Sequence, residues 1–204
     1  MSGYSYTEDS GDNYCYPGTS VLCNKMGIRE KEALLAAERE ITSLKLLMLR
    51  EKTIAGRCDF AHLRGIHRFI FGDIYDWAGE IRTGQFLAKG KTIFCLGRYI
   101  DQFASTIFSE LTAKNKLCRL EREAFIEELA YFMGEVNALH PFREGNGRTA
   151  REFFRQLSKK AGYNLDFSDV DRGKLLAADI AAFHREYTPL IEILDLSVTR
   201  IPKK

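Results

Sequence analysis

The chain has 204 residues, 45% of them hydrophobic and 12% aromatic, with only 4 prolines; that describes one folded domain and excludes a disordered tail or a collagen-like repeat. Its 30 basic and 28 acidic residues leave a formal charge of +2, too balanced to mark a polyanion-binding surface, so direct nucleic-acid binding is not expected. No apolar run approaches the ~18–20 residues that span a bilayer, and residues 1–13 are polar and acidic, without the basic start or apolar stretch of a secretory signal. The five cysteines, Cys15, Cys23, Cys58, Cys95 and Cys118, make no CxxC pair and read as reduced thiols, so a cytoplasmic protein is expected.

Residues 1–13 read as a flexible tail, residues 14–195 as one domain, and residues 196–204 as a second tail. From residue 29 to 52, Leu34, Ala37, Ile41, Leu44 and Met48 recur at steps of three and four between charges, the stripe of an amphipathic helix. Asp59 is placed to cap a second helix through Leu63, Ile66 and Ile70, which Gly72 and Asp73 end. Between residues 79 and 97 the helical period fails and Gly79, Gly84, Gly90 and Gly97 cluster. The β-formers Ile81, Phe86, Thr92, Ile93 and Phe94 flank Lys89-Gly90-Lys91 there, which predicts one β-hairpin.

Ile100, Phe103, Ile107 and Leu111 predict a third helix, and Phe125, Leu129, Phe132, Val136 and Leu139 a fourth. A fifth is expected over residues 148–160, stopped by Gly162, and a sixth from a Ser168/Asp169 cap through Leu175, Leu176, Ile180 and Phe183. Thr188-Pro189 has the cap-then-proline order that opens a seventh. The fold class is therefore all-α, a helical bundle carrying one hairpin.

Chemistry concentrates in His140-Pro141-Phe142-Arg143-Glu144-Gly145-Asn146-Gly147-Arg148-Thr149-Ala150-Arg151, between the fourth and fifth helices. Gly145 and Gly147, either side of Asn146, let the backbone turn tightly where the next helix presents unpaired N–H groups, and that is an anion-binding nest. Arg148 and Arg151, three apart in the first turn, project from one face and suit a di- or triphosphate. A carboxylate beside bound phosphates repels them unless a cation intervenes, so Glu144 is expected to hold Mg²⁺. His140 is the candidate general base, and Phe142 points into the core. Taken singly, each of these residues reads more readily as part of a plain helix–loop–helix joint with solvated charges; their combination at fixed offsets favours the phosphate site. Asn137, one turn before His140, is a candidate for the nucleobase side. His62 and His67, five apart on a helix, are poorly spaced for a shared metal and read as structural, and Trp77 reads as a core anchor.

The stretch from His140 to Arg151 matches HxFx(D/E)GNGRxxR and resembles the signature of the Fic domain, whose enzymes transfer AMP from ATP to a protein hydroxyl. Tyr14-Cys15-Tyr16-Pro17-Gly18-Thr19, Asp59-Phe60-Ala61-His62-Leu63 with Ile66-His67-Arg68, and Asp73-Ile74-Tyr75-Asp76-Trp77-Ala78-Gly79 extend the resemblance to roughly residues 14–195. It implies a Fic-fold bundle in which the hairpin is a flap that docks the target segment, with Lys91, Thr92 and Phe94 along it, though a plain exposed hairpin accounts for those three residues equally well. By the same resemblance His140 is the base, Glu144 the Mg²⁺ ligand, Gly145, Asn146 and Gly147 the hole around the α-phosphate, and Arg148 and Arg151 the grip on the β- and γ-phosphates.

Many Fic proteins carry an inhibitory (S/T)xxxE(G/N) helix. The Ser and Thr positions here offer none, Thr106 and Glu110 being followed by Leu111. The resemblance then implies a toxin restrained by a small antitoxin that supplies the Glu in trans, and DNA gyrase and topoisomerase IV are the first targets to test. Competing readings are a non-catalytic nucleotide-binding regulator, a Fic transferase using another nucleotide or phosphocholine, and the Fic portion of a longer secreted effector.

Overall fold

The computed structural model describes residues 6–8, 14–84, 86–89 and 92–202. Within them lie seven helices: α1 (Lys31–Glu51), α2 (Phe60–Phe71), α3 (Ile100–Ala113), α4 (Arg122–Leu139), α5 (Asn146–Ala161), α6 (Arg172–Phe183) and α7 (Thr188–Ser197). α4 is the central helix. It packs against α3, α5, α6 and α7, and Phe125, Leu129, Ala130 and Phe132 are buried around most of its circumference. α5 lies against α4 and α2, so the loop joining α4 to α5 is built into the core and not hung outside it. Asp59 caps α2 by accepting the His62 N–H, and Gly162, at φ 95, closes α5.

The predicted hairpin forms between α2 and α3, β2 (Leu87–Lys89) pairing antiparallel with β3 (Thr92–Ile93) in the register Ala88↔Ile93 and Lys89↔Thr92. A strand β1 (Tyr6–Glu8) adds to the far side of β2. A second small sheet pairs β4 (Tyr163–Leu165) with β5 (Val198–Arg200).

Several expectations are corrected. The tail read over residues 1–13 contains β1, and the tail read over residues 196–204 contains the end of α7 and β5, where Val198 is buried. Main-chain pairing over three residues leaves no periodicity to read. The buried stripe of α1 is Leu34, Glu38, Thr42 and Leu49, while Leu44 and Met48 of the expected apolar stripe are exposed. Phe103 on α3 and Leu176 and Ile180 on α6 are exposed as well, and small Ala104, Ala178 and Ala182 fill their places in the core. α6 is capped by Asp171, which accepts the Lys174 N–H, and so starts later than a Ser168/Asp169 cap would set it. Among the described residues no helix is long and apolar enough to cross a membrane.

Candidate active site

α4 ends at His140 in the left-handed region, φ 43, a conformation uncommon for a residue with a Cβ. Pro141 follows and cannot continue the helix. His140 Nδ1 lies 3.1 Å from the Asn137 carbonyl. A proton on Nδ1 makes that bond and leaves Nε2 as the basic nitrogen of the ring. Phe94, just past β3, stacks on the imidazole with ring centres 3.5 Å apart and planes 13° apart.

Beyond Pro141 the loop is fixed from three sides. Phe142 is buried and stacks on His67 at 3.9 Å. His67, fully buried on α2, accepts the Gly79 N–H at Nδ1 (2.8 Å) and donates from Nε2 to the Glu144 carbonyl (2.9 Å). Burial pushes its pKa down to about 3, so the neutral ring that makes both bonds persists well below neutral pH. Asn146 spends its side chain on the loop itself: Oδ1 accepts the Phe142 N–H (2.9 Å) and Nδ2 donates to the Phe142 carbonyl (2.7 Å). What Asn146 can offer an anion is its main-chain N–H.

Of the two glycines, Gly145 has the firmer spatial reason. Gly145 sits at φ 82, and a Cβ there would drive into the ring of Phe71. A Cβ on Gly147 would lie 3.2 Å from Nη1 of Arg151, which folds back along the helix start. Gly145 N–H donates to Glu144 Oε1 at 2.8 Å, and Thr149 Oγ1 donates to the Gly145 carbonyl at 3.0 Å. The first-turn N–H groups of α5 point out of the helix end toward this loop, with the positive end of the dipole behind them.

The two arginines differ. Arg148 donates from Nη2 to Glu38 Oε1 (2.6 Å) and from Nη1 to Thr42 Oγ1 (3.2 Å), lies 3.6 Å from Glu144 Oε1, and rests over the Phe71 ring at 4.7 Å. Arg151 is largely desolvated, which lowers its pKa, and the carboxylate acting on it is Asp179 of α6. Burial pushes Asp179 up to about 6 against the pull of Arg151. Asn137 on α4 donates to the Asp179 carbonyl at 3.2 Å, tying α4 to α6 beside the arginine.

The hairpin is fastened to the loop at its roots by Arg82, 3% exposed. Its Nε donates to the His140 carbonyl (3.0 Å), Nη1 to Gly84 (2.8 Å) and Nη2 to the Cys95 carbonyl. The Arg82 N–H donates to Pro141 (2.9 Å) and the Cys95 N–H to Ala138 (3.1 Å).

The structure thus brings His140, Glu144, Gly145, Asn146, Gly147, Arg148 and Arg151 onto one loop and helix start, with Asn137 one turn before it. Thr92 lies in β3 paired with Lys89, Phe94 donates its N–H to the Leu87 carbonyl (3.0 Å) while its ring is buried on His140, and Lys91 lies outside the described residues. His62 is buried on α2, consistent with its structural reading, and Trp77 stacks on Tyr75 at 4.4 Å against the core. Sequence reasoning missed Glu38, Arg82 and Asp179. A signal existed for Glu38, because an acid and a threonine four apart share a helix face with Leu34 and Leu49.

A family model for the Fic/DOC family matches residues 57–158. A Sinorhizobium fredii protein named as a probable protein adenylyltransferase, y4lH, is 42% identical over 194 residues, covering 93% of this chain and 96% of that protein. Protein adenylyltransferase VbhT of Bartonella schoenbuchensis is 37% identical over 87% of this chain, which spans 37% of VbhT. Among solved structures, the N-terminal Fic domain of a VirB-translocated Bep effector from Bartonella quintana, with bound ADP, superposes with a TM-score of 0.85 at 30% identity, covering 93% of this chain and 95% of that one. BepC from Bartonella tribocorum, with bound AMPPNP, gives 0.85 at 27% identity over 93% and 98%.

Proposed function

The chain belongs to the Fic/DOC family, and from that premise we propose that it is a protein adenylyltransferase, moving AMP from ATP to a Ser, Thr or Tyr hydroxyl of another protein and releasing pyrophosphate. One observation carries the reading: the nest at the start of α5 shares its loop with a histidine whose Nδ1 is tied to a carbonyl, so phosphate-binding N–H groups and a proton acceptor stand together. The names of the relatives and the ADP and AMPPNP bound by the structural neighbours support it.

In the proposed step His140 Nε2 takes the proton of the target hydroxyl. The hydroxyl oxygen forms a bond to the α-phosphorus while the bond from that phosphorus to the pyrophosphate oxygen breaks. Main-chain N–H groups of Asn146 and Gly147, and that of Gly145 once it leaves Glu144 Oε1, meet the charge on the α-phosphate oxygens, and Arg148 and Arg151 hold the β- and γ-phosphates. Asn137 lies toward the nucleobase. Thr92 of the hairpin offers main chain to an extended target segment, and Phe94 keeps the His140 ring in place beside it.

Glu144 fits a Mg²⁺ ion. Its carboxylate, 27% exposed, lies beside the nest, and one carboxylate next to bound phosphates is the donor set this ion commonly takes, the rest being phosphate oxygens and water. Among the described residues no group of three or more metal-ligating side chains gathers, at this loop or elsewhere, so Glu144 would be the one protein ligand. When bound, the ion would neutralise phosphate charge as pyrophosphate departs.

At a finer level the chain is proposed as the cytoplasmic toxin of a pair whose antitoxin supplies an inhibitory Glu in trans, with DNA gyrase and topoisomerase IV as first targets. The sequence offers no (S/T)xxxE(G/N) motif, and Glu110, the nearest approach to one, accepts the Tyr131 hydroxyl at 3.0 Å on α3. Such a toxin should give good yields only alongside its partner, and easy expression of the unmutated chain alone would count against the pair.

The reaction class is tested by incubating the purified chain with bacterial lysate, Mg²⁺ and ATP labelled at the α- or the γ-phosphate. Protein-bound α-label without γ-label is expected. Label from the γ-position would make the chain a kinase, and no label from either, with ATP still bound, would point to another donor or to a non-catalytic regulator.

A further inference from the structure

The buried face of α1 contains two polar residues where an apolar stripe is the rule. Glu38 is 5% exposed and Thr42 2% exposed, one turn apart, between buried Leu34 and Leu49. A carboxylate is rarely buried without a partner. Glu38 has two: Tyr75 donates its hydroxyl to Oε2, and Arg148 donates from Nη2 to Oε1 at 2.6 Å. The Tyr75 phenol, pushed up by burial and by the carboxylate itself, stays protonated and remains a donor at every working pH. Thr42 takes a second donor of the same guanidinium at 3.2 Å, and the Phe71 ring backs its face.

We infer that Glu38 is a positioning residue of the nucleotide site: it holds the Arg148 guanidinium, with Thr42, Tyr75 and Phe71, in the place where it meets phosphate. The inference rests on the phosphate-grip reading of Arg148 given above.

The geometry supplies the reason such a residue is needed. Arg148 stands between two carboxylates, Glu38 at 2.6 Å and Glu144 of the loop at 3.6 Å. A free arginine side chain has many rotamers to lose on binding, and here the nearest alternative partner is an acid inside the anion site itself. Glu38 takes the short bond, so Arg148 is ordered before the nucleotide arrives and Glu144 is kept out of a closed pair with it. The guanidinium carries more N–H donors than Glu38 and Thr42 use, and the rest remain for phosphate oxygens. Without the Glu38 charge, Arg148 closes on Glu144 and both are lost to the ligand.

The test compares the full chain with Glu38→Gln, Arg148→Ala and the double variant, measuring affinity for a non-hydrolysable ATP analogue by calorimetry, with a melting curve for each. Glu38→Gln keeps the shape and removes the charge. It and Arg148→Ala are each expected to weaken the analogue roughly 5- to 20-fold, and the double variant no more than Arg148→Ala alone, because the effect runs through that arginine. Additive losses, or wild-type affinity in Glu38→Gln beside a weakened Arg148→Ala, would overturn the inference and leave the nucleotide reading standing. An unchanged Arg148→Ala would overturn the reading and the inference with it. Should Glu38→Gln fail to fold, Tyr75→Phe removes one hydroxyl from the far side of Glu38. A loss of about 2- to 5-fold is then expected that vanishes in the Arg148→Ala background, and persistence of the loss there would refute the inference.

Discussion

The two sides of the site are built differently. The phosphate side, from Phe142 to Arg151, is tied at nearly every residue: His67 holds the Glu144 carbonyl, Asn146 clasps Phe142 through both side-chain atoms, and Glu38 and Thr42 hold Arg148. The hairpin side has strands of three and two residues and is fastened to the loop at its roots, chiefly through Arg82. Under the proposed reaction this contrast has a purpose. A nucleotide presents the same set of charged phosphate oxygens at every turnover and rewards a preorganised cradle, whereas main-chain pairing with a target segment asks only for an edge in the right place.

The contrast can be broken first at Gly145. Gly145→Ala must place a side chain at φ 82 and into Phe71, and a loss of about 3 kcal/mol in unfolding free energy is expected in a urea titration, with nucleotide affinity lost alongside. A variant as stable as the parent would mean the cradle is not rigid. Next comes Arg82→Ala, which strips donors from the carbonyls of His140, Gly84 and Cys95 and should cost about 1–3 kcal/mol. Its sharper readout is a split: transfer to protein should fall more than about 10-fold while analogue affinity stays within about 3-fold. Equal losses in both would erase the distinction between the two sides.

The smallest effect belongs to His67. Its folded-state pKa of about 3 lies below the ordinary value of 6.5, so the stability it contributes is complete above pH 6.5 and shrinks as the pH falls toward 3. Between pH 6.5 and 5.5 that amounts to about 1 kcal/mol, measurable as a steeper loss of stability in the parent than in His67→Gln. Parallel slopes would show that the buttress titrates normally.

How much of this was legible in the sequence follows from the same physics. The loop could be read because its residue types recur together at fixed offsets, with Gly145 required by its backbone conformation and its close contact with Phe71. α2 and α4 could be read because their faces are apolar at helical spacing. On α1 the same rule misplaced the buried face, since two buried positions are Glu38 and Thr42, which bond Arg148, while Leu44 and Met48 face outward. A tertiary polar contact overrode the pattern there. Arg82 left no signal, because its partners are main-chain carbonyls that are brought together only by the fold, and the three-residue strands β1, β4 and β5 are too short to show a period.

Under the proposed reaction labour is divided within one loop, Gly145 to Arg151 binding the nucleotide and His140 moving the proton. Measuring α-label transfer and calorimetric analogue binding side by side on His140→Ala tests it most directly. Transfer should fall by about 10³-fold or more while affinity stays within about 2-fold of the parent. Persistent labelling, or loss of binding together with transfer, would contradict it.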